Sequence, residues 1–283
     1  MLKIKEIFLK YKNILKEKNF ETYSLDIEVL LMEVTGFSKI KLYTNTEYCL
    51  KKEEFEKFEY FFKRRLKNEP IAYIIGKCEF MGLEFNLNSD TLIPRPDTEI
   101  LVEKAIDIIK NKNLKKCLDI GTGSGAIAIS IAKYCNEILM TAIDINENAI
   151  LKATENAQKN GVLNKINFLK SNLFEKINEK YDIIVSNPPY IKTNLIEQLE
   201  ENVKKYEPRR ALDGGQSGLI FYEKITKNCK DFLNENAYII YEIGHDQAEE
   251  VKKIMLENNF INIEILKDLA GLDRVILGKF KGD

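Results

Sequence analysis

A single histidine, His245, in 283 residues leaves little scope for imidazole chemistry, and the chain shows no Ser/His/Asp arrangement for nucleophilic catalysis. The five cysteines, Cys49, Cys78, Cys117, Cys135 and Cys229, are odd in number, widely spaced and never CxxC. They indicate neither a disulfide framework nor a zinc site, so no metal is expected and a reducing cytoplasm fits best. Net charge is also missing: 43 Lys and Arg stand against 44 Asp and Glu, which leaves -1 and no whole-protein field to attract nucleic acid or an anionic membrane. No run reaches the roughly 18 apolar residues of a membrane span. The N-terminal MLKIKEIFLKYKNILKEKNF interrupts its apolar residues with lysines, so it reads as neither signal peptide nor membrane anchor. Internal repeats and low-complexity tracts are absent too. The expectation is a soluble, cytoplasmic chain, monomeric by default.

What is present suffices for a full core: 45% of residues are hydrophobic and 31% charged. The length suits one large domain and a smaller one, at roughly 150 residues per domain. The first part reads as helical, with Ile4, Ile7, Phe8, Tyr11 and Leu15 recurring every three or four residues. SLDIEVLLMEVTG, residues 24–36, offers Ser24 as an N-cap and Gly36 as a terminator, and residues 53–66 form a third amphipathic stretch before Pro70. CEFMGLEFNLN reads as a hairpin turning at Met81-Gly82. The expected organisation is an N-terminal helical domain over 1–75, a hairpin linker over 76–90 and a catalytic domain over 91–283.

From about residue 97, strands and helices alternate. Helices are expected over 98–109, 126–134, 147–159, 218–232 and 247–258, with strands over 116–120, 138–144, 166–170, 181–186, 237–243, 261–266 and 274–280. Such alternation implies an α/β fold, a doubly wound sheet with right-handed crossovers and helices on both faces. The last two strands are joined by too few residues for a parallel crossover, so one strand at that edge must run antiparallel.

LDIGTGSGAIAI, residues 118–129, places Gly121, Thr122, Gly123, Ser124 and Gly125 between a strand and a helix. There the missing side chains admit a ligand to the backbone and a helix N-terminus can hold an anion. Asp144 ends the next strand, where a carboxylate can accept both ribose hydroxyls of a nucleoside. The glycines are spaced GxGxG rather than GxGxxG, with Asp119 just before them, so S-adenosylmethionine is preferred over NAD. The strand pattern likewise resembles the class I methyltransferase sheet.

SNPPYI, residues 186–191, ends a strand at the same sheet edge. Pro188 and Pro189 have fixed φ and no N–H, giving a stiff turn whose carbonyls meet fewer competing donors; Asn187 adds a side-chain acceptor. Together they form an acceptor-rich pocket for an NH2 group. An amide or aromatic amine is a poor nucleophile, because its lone pair is delocalised. If Asn187 Oδ1 and the Pro188 carbonyl accept its hydrogens, the lone pair can turn toward a sulfonium methyl, and Tyr190 can lie over the planar group and exclude water. On these residues alone, an amide of a protein, an exocyclic amine of a nucleic acid base and a non-catalytic adaptor all remain open.

Further blocks narrow the choice. LIPRPDTEILVE (92–103), DIGTGSGAIAI, SNPPYI, YEPRRALDGGQSGL (206–219), YEIGHDQAEEV (241–251) and DLAGLDRVILGK (268–279) resemble successive blocks of the peptide chain release factor glutamine N5-methyltransferases, the PrmC/HemK family. The resemblance covers nearly the whole chain. It implies a class I fold with a seven-stranded, Rossmann-like sheet and a small helical N-terminal domain that helps grip the partner. It also implies S-adenosylmethionine as methyl donor and, as substrate, the glutamine of the Gly-Gly-Gln loop in class 1 release factors. Gly121 to Gly125, Asp144 and Asn187 are then expected at the cofactor, and Asn187, Pro188, Pro189 and Tyr190 at the glutamine. Asn172 and Leu173 stand where the family commonly has a Ser-Asp-Trp-like sequence near adenine. Arg95 and Asp97 are expected at the pocket mouth, with Arg95 counted among the substrate-binding residues. Direct nucleic-acid binding is not expected.

Overall fold

The computed structural model describes residues 2–282. The chain divides into two compact units, residues 1–76 with 201–206 and residues 77–200 with 207–283. The smaller is helical: α1 (Ile4–Glu17), α2 (Tyr23–Thr35), α3 (Lys39–Thr44), α4 (Lys52–Arg65) and α5 (Ile71–Ile75). The repeat read in α1 is its buried face, with Ile4, Ile7, Tyr11 and Leu15 turned inward. Tyr11 meets Phe58 and Phe62 of α4 edge-on, with centroids 4.9 and 4.7 Å away. Gly36 does terminate α2, in the left-handed conformation. Ser24, however, is not its cap. The Thr22 carbonyl already accepts from the Asp26 N–H, so Ser24 lies inside the first turn.

The larger unit opens with β1 (Lys77–Phe80) and β2 (Leu83–Asn86), paired antiparallel. Met81 and Gly82, with φ of 52° and 67°, make the tight turn. The segment expected as a linker is instead part of this unit's core. Phe80 and Phe85 are buried among Leu101, Val102 and Ala105 of α6 (Thr98–Lys112). A short connection with two buried rings cannot stay loose.

Then follow β3 (Lys116–Ile120), α7 (Ala126–Tyr134), β4 (Leu139–Asp144), α8 (Glu147–Lys159), β5 (Ile166–Lys170) and β6 (Tyr181–Ser186). After the short α9 (Glu201–Tyr206), which counts with the smaller unit, come α10 (Ile220–Asn228), β7 (Leu233–Glu242), α11 (Ala248–Glu257), β8 (Phe260–Lys267) and β9 (Asp273–Phe280). Seven strands form one sheet in the order β5-β4-β3-β6-β7-β9-β8. The expected antiparallel strand is β9, which runs against both β7 and β8. The core strands are nearly continuous apolar runs, as burial on both faces demands; Ile183, Ile184 and Val185 of β6 are fully buried. β7 starts earlier than expected, at Leu233, through an irregular pairing in which Asn236 takes φ 64°.

The register decides where the chemistry sits. Ile120 lies opposite Ser186 and Ile143, Asp144 opposite Lys170, and Ser186 opposite Tyr241. The segments after β3, β4, β5, β6 and β7 therefore emerge at one carboxyl edge. Strand order reverses between β3 and β6, the switch point at which ligands enter open α/β sheets.

Candidate active site

The glycine loop follows β3. Gly121, Gly123 and Gly125 all have positive φ, at 76°, 56° and 83°. Their tasks differ. Apart from the adjoining residues of the chain, no heavy atom of the described residues lies within 4 Å of where a Cβ would sit at Gly121 or Gly123, whereas at Gly125 it would lie 2.7 Å from Ile129 Cδ1 and 3.1 Å from Ala153 Cβ. The first two keep the loop surface open; the third lets α7 pack on α8. Asn156 of α8 braces the loop from behind. Fully buried, it donates to the Ser124 carbonyl at 2.9 Å and exchanges hydrogen bonds with the Asn86 backbone of the hairpin.

Asp144 accepts the N–H groups of Gly123 at 3.0 Å and Asn146 at 2.8 Å, which hold its carboxylate against the loop. Burial raises its pKa, and these backbone donors and Arg210 pull it back. Asp119 is fully buried beneath the loop, and burial pushes its carboxyl up to about 7. Thr122 donates to Asp119 Oδ2 at 2.7 Å, while Oδ1 has no hydrogen-bond partner among the described residues. An open glycine surface beside an orphaned carboxylate oxygen fits a ligand that carries a donor or a positive charge, as the amino acid end of S-adenosylmethionine does.

Residues after β5 complete this side. The Ser171 N–H donates to the Asp144 carbonyl at 2.9 Å, Asn172 Nδ2 to Glu175 at 2.7 Å, and Leu173 holds φ 49°. Asn172 and Leu173 thus stand next to the end of β4.

Across the switch point, Asn187 Nδ2 donates to Glu242 Oε2 at 2.9 Å and to Thr98 Oγ1 at 3.3 Å. The Thr98 hydroxyl donates to the same Oε2 at 2.5 Å, and the Tyr190 hydroxyl to Oε1 at 3.4 Å. Glu242 is buried at the end of β7; burial raises its pKa, and the Thr98 hydrogen bond and Arg274 pull it back. Arg274 links this cluster outward, lying 3.3 Å from Asp97 and 3.0 Å from Asp268. Segments 92–103, 186–191, 241–251 and 268–279 therefore meet in one polar network.

The prolines are strapped from outside. Ile191 N–H donates to Leu212 O at 3.0 Å and Gly214 N–H to Ile191 O at 2.8 Å. Gln247 Nε2 donates to the Tyr190 carbonyl at 3.0 Å. A Cβ on Gly214 would lie 2.8 Å from Pro189 O and from Tyr190 Cα. The Gly-Gly-Gln spelled by residues 214–216 thus has a packing reason of its own. Arg95 pairs with Glu207, whose carboxylate is otherwise buried, so its guanidinium joins the 92–103 loop to the 206–219 segment.

Comparison with known proteins identifies the family. The family described as Methyltransferase small domain matches residues 97–241, and PrmC N-terminal domain matches residues 6–76. The release factor glutamine methyltransferase of Clostridium acetobutylicum is 43% identical over 98% of this chain and 98% of its own. That of Clostridium botulinum is also 43% identical, over 96% and 98%. The chain belongs to the release factor glutamine methyltransferase family. A solved methyltransferase from Pyrococcus furiosus, 20% identical with TM-score 0.52 over 78% of this chain and 98% of its own, shares the class I methyltransferase fold.

For this member of the release factor glutamine methyltransferase family, the sequence reading gathered the glycine loop, Asp144 and residues 187–190 at one edge, and the register brings them there. It missed Thr98, Asn156, Arg274 and Gln247. Thr98, Gln247 and Arg274 lie inside the 92–103, 241–251 and 268–279 blocks but carry no local signal for their use, and Asn156 lies outside every block; Thr98 meets Glu242 across 144 residues of sequence.

Proposed function

We propose that this protein methylates the side-chain amide nitrogen, N5, of the glutamine in the Gly-Gly-Gln loop of class 1 peptide chain release factors, and so modulates translation termination. Its methyl donor is S-adenosylmethionine, which supplies an electrophilic methyl carbon on a sulfonium. The observation that carries the reading is the Asn187 amide, tethered through its NH2 to Glu242 and Thr98, with its oxygen the end left without a hydrogen bond among the described residues.

Gly121, Thr122, Gly123, Ser124 and Gly125 would line the cofactor, with Asp144 at the ribose, Asn172 and Leu173 toward the adenine and Asp119 below the amino acid end. Asn187 Oδ1 and the Pro188 carbonyl would accept the two hydrogens of the glutamine amide and so leave its lone pair facing the cofactor side of the pocket. Pro189 stiffens the turn, and the Tyr190 ring, whose hydroxyl is anchored on Glu242, walls the site from water. Orientation of this kind supplies ~7 kcal/mol or more of barrier reduction. No strong base is required, because an N-methylated amide cation sheds its proton readily. Arg95 orders the rim through Glu207.

The remaining parts of the reading are a cytoplasmic monomer, a helical unit that helps grip the release factor, and no direct nucleic-acid contact. Among the described residues no helix is long and apolar enough to cross a membrane. The test is incubation with labelled S-adenosylmethionine and release factor, RNA or DNA, followed by mass spectrometry. A methyl on the loop glutamine is expected; label in nucleic acid alone overturns the substrate.

A further inference from the structure

We propose that Glu242 is a positioning residue which, together with Thr98, takes both hydrogens of the Asn187 amide and fixes which end of that amide the substrate meets. The inference rests on the reading that the substrate presents an NH2 group to residues 187–190.

The hydrogen-bond circuit admits one direction. An ionised carboxylate has only acceptors, so whatever faces Glu242 Oε2 at 2.9 Å from Asn187 must be a donor, and the amide has hydrogens only on Nδ2. Thr98 gives its own hydrogen to Glu242, which leaves its oxygen free to receive the second Nδ2 hydrogen. Tyr190 fills the other carboxylate oxygen with a third donor. Oδ1 is then the end left for the substrate.

Without this circuit the amide has two nearly isosteric orientations. The flipped one would set its NH2 against the substrate NH2, donor against donor, and remove the acceptor the chemistry needs. Glu242 must be ionised to enforce the choice. Protonated, it would offer a hydrogen of its own and the circuit could reverse.

The charged and titratable groups around it come from every side: Arg274 on β9, Asp97 at the start of α6, Tyr190 after β6, and Tyr222 on α10, whose hydroxyl donates to the Glu242 carbonyl at 2.8 Å. Turnover therefore falls as pH drops through the Glu242 pKa, which burial raises from its ordinary value.

The test compares parent, Glu242→Gln, Asn187→Asp and the double variant, using release factor and labelled S-adenosylmethionine. Glu242→Gln is expected to lower kcat ~10-fold or more, the size of one hydrogen bond to a charged group, and to abolish the acidic limb of the kcat-pH profile. Asn187→Asp sets two carboxylates face to face and loses ~10²-fold or more. In the double variant the glutamine NH2 donates to the introduced carboxylate, so kcat recovers at least tenfold over Asn187→Asp, a rescue that a merely structural role would not give. In parallel, 15N NMR follows the Asn187 side-chain NH2 pair, slowly exchanging in the parent and fast in Glu242→Gln.

Wild-type kcat with an unchanged acidic limb in Glu242→Gln, or a double variant no faster than Asn187→Asp, overturns the proposal. Should Glu242→Gln not fold, Thr98→Val against Thr98→Ser replaces it; serine must restore the turnover that valine loses, and equal rates overturn the proposal. The parent enzyme incubated in parallel with release factor, RNA or DNA reports separately on the substrate. If it labels only nucleic acid, that reading fails alone, and the same variants are compared on the nucleic acid.

Discussion

Asp119 sets the need for a buried acceptor against the cost of burying a charge. Burial pushes its carboxyl up to about 7, the Thr122 hydroxyl holds the rise back, and Asp144 adds to it. In the unfolded chain the same proton leaves near ~3.9. Between those values the folded protein holds a proton that the unfolded chain has released. The contribution is therefore complete below ~4, declines as pH rises and is lost above about 7, with a size of ~4 kcal/mol. Asp119→Asn keeps an acceptor for Thr122 and removes the titration. Thermal melts are expected to place the variant above the parent at pH 8, with the gap closing as pH falls toward ~4. Calorimetry with S-adenosylhomocysteine is expected to show ~10-fold weaker binding, because the neutral amide cannot meet a cationic group equally well. A difference between parent and variant melts that does not change with pH refutes the buried charge.

The site's supports are elements placed by packing. The glycine turn, the strand-ending Asp144 and residues 186–191 are legible in the sequence, because continuous apolar strands interrupted by Gly and Pro carry their own signal. α3, α5 and α9 are too short to show a period, and the strap over residues 212–218 has no repeating pattern at all. Asn156 shows the same limit, since its use depends on α8, the hairpin and the glycine loop converging. Gly214 tests the strap. Its φ is not in the left-handed region, so conformation permits alanine; space does not, with Pro189 O and Tyr190 Cα each 2.8 Å from the new Cβ. Gly214→Ala must shift residues 188–190 relative to the glycine loop. A displacement near 1 Å costs on the order of 10²-fold in kcat, whereas the cofactor Kd, set on the far side of the switch point, stays within about threefold. Equal loss in both would show that the turn and the cofactor surface move together.

At the scale of the whole molecule, a near-neutral charge separates two chemistries that one acceptor pocket would serve. A nucleic acid enzyme gains affinity by neutralising phosphates and releasing counterions; making 6–10 such contacts, it loses roughly 10³ to 10⁵ in affinity between 50 and 200 mM salt. Here 43 basic residues are matched by 44 acidic ones, and many lysines are already engaged, as Lys3 and Lys5 are by Glu47 and Lys159 by Glu84. Recognition of a release factor must then rest on shape and apolar contact more than on a long-range field. The KM for release factor is expected to change less than about tenfold over that salt range, with kcat flat. The measurement is initial-rate kinetics on purified release factor at several salt concentrations. A thousandfold rise in KM would place phosphate-like electrostatics at the centre of recognition and return the exocyclic amine of a nucleic acid base to first place as the substrate.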